Sequence, residues 1–372
     1  MLHHFLCRIL LPLFVSGSLL GCTPDAVNRD RMVNLDKVAL KSEIRLADLD
    51  LALKQDRGNA VLFAKRALIY LERGQTAKAL ADINRALALN EGRGEYHFRK
   101  ALILRQAGRL QEAEEAAAEA ENQGFKDTDL YVLQAELLIR LKQYEAALEK
   151  VNFALEEAPD HDYALLYRGI IRAATHDTAS ALINFRRAIK RSPAFPDPYL
   201  HLASICNARK DYAMARHYLA VPERLEPKNA YLWLQKGIRY RGLGQTDSAL
   251  YSLHKAVALN PGLYQAHYHL GLIYYKQMNY KAVVNHLEKV KAVTDTLAHV
   301  PEYLGESYEK TGRFRAALQE YYKVLRRQPN DVRAGWGVRR SNWGLYKIKR
   351  DSLRQRSLRT APLLDSITRN SF

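Results

Sequence analysis

Apolar residues recur along this chain at helical spacing and in pairs of blocks. Trp233, Leu234, Gly237, Ile238 and Tyr240 form one such block; past Gly244, Ala249, Leu250, Leu253 and Ala256 form the next. The two blocks together fill one period of 34 residues, and the period is kept without slippage. A small residue returns at Ala67, Ala101, Ala135, Gly169, Ala203, Gly237, Gly271 and Gly305. A second small-residue series, Ala79, Ala113, Ala147, Ala181, Ala215, Ala249 and Ala317, runs in step with it and is broken only by Val283. Pro159, Pro193, Pro227, Pro261 and Pro329 mark one phase of the same repeat. Each period therefore predicts two helices. The small residues mark their crossing, because an interaxial distance at the low end of ~8–10 Å needs side chains that are nearly absent there. Gly74, Gly108, Gly244 and Gly312 fall in the turn between the two helices, where a positive φ is expected. The prolines stop the second helix.

The unit 230–263 carries Trp233, Gly237, Tyr240, Gly244, Ala249, Leu253, Ala256 and Pro261. The unit 298–331 carries Leu304, Gly305, Tyr308, Gly312, Phe314, Ala317, Tyr321 and Pro329. On these residues the chain resembles the tetratricopeptide repeat (TPR) family. The resemblance implies an all-α fold, a right-handed superhelical solenoid of eight to nine helix-turn-helix units with C-terminal capping helices. Eight units fit in register over 60–331, starting at residues 60, 94, 128, 162, 196, 230, 264 and 298. Residues 32–59 are read as a degenerate first repeat, with a second helix over 44–56 whose partner begins near Asp30. Beyond the last unit, 332–358 are read as one or two capping helices and 359–372 as a flexible tail. Two departures are expected to disturb the array. Pro222 stands where a second helix should carry a packing alanine, so that helix should end early. Asp295 replaces the expected proline and Pro301 follows, so the 291–301 junction should be irregular.

Residues 1–21 run from Arg8 through the apolar stretch Ile9 to Val15 into Leu19-Leu20-Gly21-Cys22, an export-signal pattern too short for a transmembrane helix. Its end resembles the bacterial lipoprotein box. That resemblance implies acylation of Cys22, a tether over 22–31, and residence in the bacterial cell envelope, with Thr23 favouring the periplasmic face of the outer membrane. An ordinary signal peptide cleaved near Gly17–Gly21 is the alternative. Removal of the signal leaves Cys22 and Cys206, so no structural disulfide is expected, and Cys206 occupies a core position.

The formal charge of +17 is concentrated at one end. Between Arg313 and Thr360 there are fourteen Lys or Arg residues against Glu320, Asp331 and Asp351. Arg339, Arg340, Lys347, Lys349, Arg350, Arg354, Arg356 and Arg359 are the candidate cationic surface, facing anionic lipid, an acidic cell-wall polymer or an acidic partner, and otherwise simply the outside of a cap. Nucleic acid is not the expected partner of an exported chain.

The sequence contains no Gly-rich phosphate loop, nucleophile elbow or clustered carboxylates, and His267 with His269 are spaced unlike a zinc-binding pair. No enzymatic activity, cofactor, metal or small-molecule substrate is expected. The TPR resemblance places the binding groove on the first helix of each unit: Val61, Leu68, Phe98, Leu102, Val132, Ile139, Tyr163, Leu166, Ile170, Leu200, Tyr231, Leu234, Ile238, Tyr268, Leu272 and Tyr275. The lining is apolar, ending in Glu302, Glu306 and Glu309. The Lys and Asn with which chaperone-binding relatives clamp a peptide carboxylate are missing at the matching places. The expected occupant is a helix or extended apolar segment of another protein, unless these side chains only pack on the neighbouring unit.

Overall fold

The computed structural model describes residues 42–294, 297 and 299–369. Those residues form eighteen helices. Helix α1 (Ser42–Gln55) precedes eight antiparallel pairs: α2 (Ala60–Glu72) with α3 (Thr76–Leu89), α4 (Gly94–Gln106) with α5 (Leu110–Asn122), α6 (Thr128–Arg140) with α7 (Tyr144–Glu157), and α8 (Asp162–Ala174) with α9 (Thr178–Arg191). The array continues with α10 (Pro196–Ala208) and α11 (Tyr212–Leu225), α12 (Ala230–Gly242) and α13 (Thr246–Leu259), α14 (Tyr264–Lys276) and α15 (Tyr280–Val293), and α16 (Val300–Lys310) and α17 (Phe314–Arg327), closed by α18 (Val332–Arg369). The proposed partner of α1 near Asp30, the signal, the tether and Cys22 all lie outside the described residues.

The small-residue crossing is matched in size to what it faces. Gly169, Gly237, Gly271 and Gly305 lie so close to Phe185, Leu253, Leu287 and Tyr321 that an added Cβ would come within 2.5, 2.6, 2.4 and 2.9 Å of those side chains. Where the same position holds alanine, the residue sixteen further on is Ile83, Ala117, Val151 or Leu219, and these too are buried. The backbones come together as far as the pair's combined volume allows. The core is accordingly not one mass. Buried apolar residues form successive clusters along the array, each joining neighbouring units, as a quasi-one-dimensional protein requires.

The turn after the first helix is left-handed in all eight units. Gly74, Gly108, Gly244 and Gly312 have φ of 69°, 77°, 74° and 76°, and Lys142, His176, Lys210 and Met278 hold the same place at 62°, 65°, 61° and 55°. The turn geometry belongs to the repeat, and half of the units adopt it without glycine.

Two expectations are corrected. Pro222 does not shorten its helix: α11 runs to Leu225, and the Glu226 amide donates to the Pro222 carbonyl at 2.8 Å. The ring is buried in the place of an alanine, so packing offsets the one amide bond that proline removes near the helix end. The cap helix also does not end at 358. A single helix continues to Arg369. The first turns of α18 pack on α17: a Cβ at Gly337 or Gly344 would come within 2.2 Å of Tyr321 or 2.5 Å of Phe314. The junction before the last unit is irregular, since α15 ends at Val293, α16 starts only at Val300, and His299 before it has φ 65°. Residues 295, 296 and 298 lie outside the described set.

Candidate partner-binding site

Consecutive first helices touch one another along the array, whereas second helices make no comparable contact with one another. First helices therefore line the inner side, as the groove assignment requires. The packing that places them there also removes half of the predicted lining. Leu68, Phe98, Leu102, Val132, Tyr163, Leu166, Leu200 and Leu234 are buried, none more than 8% exposed, and are corrected from groove to core. They fill the space between one first helix and the next; TPR register alone cannot separate these two roles. What stays accessible is Val61, at 40%, and the partly buried Ile139, Ile170, Tyr231, Ile238, Tyr268, Leu272 and Tyr275. Five of these seven lie on α12 and α14 and a sixth, Ile170, on α8, so the accessible apolar band is concentrated in the middle and later units.

Polar groups set into this frame were not identified as a set from sequence. Arg66 binds Asp82 through two nitrogens, at 2.6 and 2.7 Å, and Asp50 of α1 at 2.7 Å, tying three helices together. Glu320 is 1% exposed and is held by Lys291 at 2.6 Å and Lys323 at 3.2 Å. His267 donates from Nε2 to the Pro261 carbonyl at 3.0 Å, which leaves its Nδ1 to accept from His286 Nδ1 at 2.9 Å. His286 stacks on Tyr274, and burial with the neighbouring histidines holds its pKa down at about 4. His269 instead sits beside the Tyr268 ring, and burial pushes its pKa to about 3. Among the described residues no group of three or more His, Cys, Asp and Glu is placed to hold a metal. Cys206 is buried, and desolvation raises its thiol pKa.

At the C-terminal end the inner side changes character. Helices α14 and α16 approach each other less closely than any other consecutive first helices. The gap between them, closed off by α18, is a cavity of ≈ 840 Å³. Tyr275 and Tyr303 meet in it with ring centroids 4.5 Å apart, and Glu302, Glu306 and Trp336 share its wall. The Tyr275 hydroxyl donates to Glu306, and burial together with that carboxylate raises the Tyr275 pKa.

The predicted basic residues fall into different environments. Arg340 is clamped on Glu309 by two bonds, 2.6 and 3.0 Å, which fastens the cap to α16 and offsets its charge, while its side chain stays 52% exposed. Arg339 lies 4.9 Å over Trp336 and Lys347 5.5 Å over Trp343, while Arg350 pairs with Asp351 at 3.1 Å. Lys349, Arg354 and Arg356 are exposed on the same helix, and the Arg359 side chain lies outside the described ones. No described helix is long and apolar enough to cross a membrane.

The arrangement defines a class: an all-α superhelix whose inner helices present a continuous face to another chain. Models of the tetratricopeptide repeat match residues 65–126 and 132–196, a further TPR repeat model matches 237–277, and a third matches 304–331. The chain belongs to the tetratricopeptide repeat family, a protein-interaction scaffold. It is 24% identical over 220 residues to a DnaJ homolog subfamily C member 7 homolog of Dictyostelium discoideum, covering 55% of this chain and 40% of that one. It is 21% identical over 193 residues to the TPR repeat-containing protein YpiA of Bacillus subtilis, covering 50% and 44%. The chain thus spans less than half the length of either relative. Among solved structures, a tetratricopeptide repeat protein of Parabacteroides merdae superposes with a TM-score of 0.54 at 18% identity, over 67% of this chain and 98% of that one. The APC/C hetero-tetramer Cut9-Hcn1 superposes with a TM-score of 0.59 at 14% identity, over 80% and 58%. These likenesses bear on the fold.

Proposed function

We propose that this protein is a membrane-anchored docking scaffold of the bacterial cell envelope. It holds a helix or extended segment of another protein along its inner face, for assembly of an envelope machine such as outer-membrane biogenesis, secretion, pilus or gliding apparatus. The observation that carries the docking reading is the band of apolar side chains left partly accessible on the inner helices after inter-unit packing is complete: Ile139, Ile170, Tyr231, Ile238, Tyr268 and Leu272. An apolar band that packs on its neighbours with one side and stays partly accessible on the inner face with the other is the usual mark of a protein-binding surface. The anchoring reading rests on the Leu-Leu-Gly-Cys ending at Cys22, with the periplasmic face of the outer membrane as the expected site. A lone acyl chain binds membranes marginally, so the lipoprotein-type modification would supply the further chains that stable anchoring needs.

The test is crosslinked capture from native membranes by the parent and by Ile170→Asp with Ile238→Asp. Loss of a specific partner with unchanged helicity and melting supports groove docking, and retained capture refutes it. If the aspartates unfold the array, Ile170→Ser with Ile238→Ser serves in their place. Anchoring is read separately: Cys22→Ser should abolish metabolic incorporation of radiolabelled palmitate and release the protein from membranes, and a still-labelled serine variant would refute lipidation.

A second reading is favoured by the outer face of α18. Trp343 and Tyr346 are each 55% exposed there, with Lys347 5.5 Å over the Trp343 ring. Aromatic residues paired with lysine and arginine suit an anionic surface, so α18 would act as a charge-driven tether to anionic lipid, cell wall or an acidic partner. Lys347→Glu with Arg350→Glu leaves the packed side of α18 intact. It should weaken salt-sensitive retention on anionic vesicles or wall material if this reading holds.

A further inference from the structure

The cavity between α14, α16 and α18 is aromatic and acidic, where the accessible inner face of the middle units is chiefly apolar. It exists because the repeat is broken there: the late start of α16 after His299 leaves it farther from α14 than other first helices are from their predecessors. Its volume of ≈ 840 Å³ falls among ordinary ligand sites. Its wall is aromatic and anionic, with Tyr275, Tyr303 and Trp336 beside the carboxylates of Glu302 and Glu306.

The charges around it can be sorted by what already engages them. Arg340 reaches the cavity, but its guanidinium is spent on Glu309. Asp331 is occupied as the cap of α18, accepting from the Ala334 amide at 2.7 Å. Glu306 accepts the Tyr275 hydroxyl, and Glu302 stands 3.7 Å from the exposed ring of His299, a contact that carries charge only when that ring is protonated. An ionised carboxylate has about four acceptor sites, so each of these two retains capacity for an incoming donor. Arg333 lines the rim as an opposing cation, and Arg339 already lies 4.9 Å over the Trp336 ring, so an incoming cation must share that wall with it.

We propose that this cavity receives a cationic side chain, the guanidinium or ammonium of an arginine or lysine on the docked segment, between the tyrosine pair and Trp336 and against Glu302 and Glu306. A cation beside aromatic faces gains from their quadrupoles, and the paired carboxylates supply the charge-assisted bonds. Upstream the accessible inner face offers Ile139, Ile170 and Ile238, and the carboxylate at the place matching Glu306, Glu136, is already paired with Arg105 at 2.9 Å, so the cavity sets the register of the docked segment: apolar residues along the middle units and a basic residue at the α18 end. The proposal deepens the docking reading and rests on it.

The test uses the full chain labelled with fluorotryptophan, whose three tryptophans, Trp233, Trp336 and Trp343, give separate fluorine NMR signals. N-acetyl-arginine N-methylamide is the probe, with its uncharged citrulline counterpart as control. The expected result is a saturable millimolar shift of the Trp336 signal, with Trp233 unmoved, no response to citrulline, and binding weakened about tenfold or more by Glu302→Gln with Glu306→Gln. Those isosteric changes keep the Tyr275 hydroxyl bonded, and an unmoved Trp233 signal reports that the fold is kept. An absent Trp336 shift, an equal response to citrulline, or undiminished binding by the double variant overturns the proposal. Each of those leaves partner capture through Ile170 and Ile238 standing, whereas loss of the docking reading is seen only in the capture experiment.

Discussion

Adding one methyl group to a helix should have opposite effects at Gly169 and at Gly335. An alanine at Gly169 would place its Cβ 2.5, 2.7 and 2.9 Å from three atoms of the Phe185 ring. Phe185 is 0% exposed and stacked on His201 at 5.2 Å, so it has nowhere to turn. Forcing an extra carbon into a filled interior costs ~1–3 kcal/mol. The better helix propensity of alanine returns about 1 kcal/mol, leaving a net loss of up to ~2 kcal/mol. At Gly335, also helical, nothing lies within 4 Å of the added Cβ. The steric cost vanishes there, and Gly335→Ala should stabilise by up to about 1 kcal/mol. Urea unfolding followed by circular dichroism gives the midpoint and slope. Because repeats open locally, hydrogen exchange of α8 and α9 amides locates the loss. Shortening the opposing ring should relieve the clash, so Gly169→Ala with Phe185→Leu should lose less than the sum of the two single changes. If Gly169→Ala stabilises the protein as Gly335→Ala does, the crossing is not filled and the size matching of the repeat is wrong.

Other outcomes follow from the same geometry. At the left-handed turn, Lys142→Gly, Lys210→Gly and Met278→Gly should each stabilise by about 1 kcal/mol, while Gly244→Ala should cost about as much, read as shifts in melting temperature. Lys291→Met removes one of two partners of buried Glu320 and should cost about 1–3 kcal/mol by urea titration, more than the same change at exposed Lys349. Stability should fall on acidification from about pH 6.5 to 4. Burial holds His201 and His286 at about 4, below the value of about 6.5 in an unfolded chain, so the unfolded state binds protons first. The contribution is whole above 6.5 and is lost as pH falls through the folded values. His201→Phe, which keeps the stack on Phe185, should flatten part of that decline in midpoint-against-pH measurements.

The repeat was legible in the sequence because small residues at a crossing admit no substitute. Gly271 faces Leu287 too closely for any Cβ, so chain geometry writes itself into composition at a fixed interval. The turn was half legible: glycine announced it at Gly74, Gly108, Gly244 and Gly312, but Lys142, His176, Lys210 and Met278 adopt the same conformation because the helices on either side impose it. Pro222 misled in the other direction, since a local rule about helix ends was overruled by the fit of its ring into a buried place. The groove was the least legible part. Leu166 and Ile170 lie on one first helix one turn apart, and only the position of the next unit buries the first and leaves the second accessible.

That difference explains why the candidate recognition chemistry lies where the pattern fails. A position repeated in eight units is constrained by packing in all eight and has little freedom to select a partner. The departures carry no such constraint. Asp295 in place of proline and Pro301 one turn late accompany a junction that starts α16 at Val300 and sets it apart from α14. Glu302 stands where the other seven units carry an apolar residue and Glu306 where most of them do, in the place where that gap leaves room beside them, and Arg340 stands on α18 where it can hold Glu309. The irregular junction, the change from apolar to acidic lining and the aromatic cap are three departures at one place. Restoring the regular pattern by Glu302→Leu and Glu306→Leu should therefore extend the apolar band without unfolding the array. It should also shift the preference of the inner face away from basic segments, and an unchanged preference would place selectivity elsewhere.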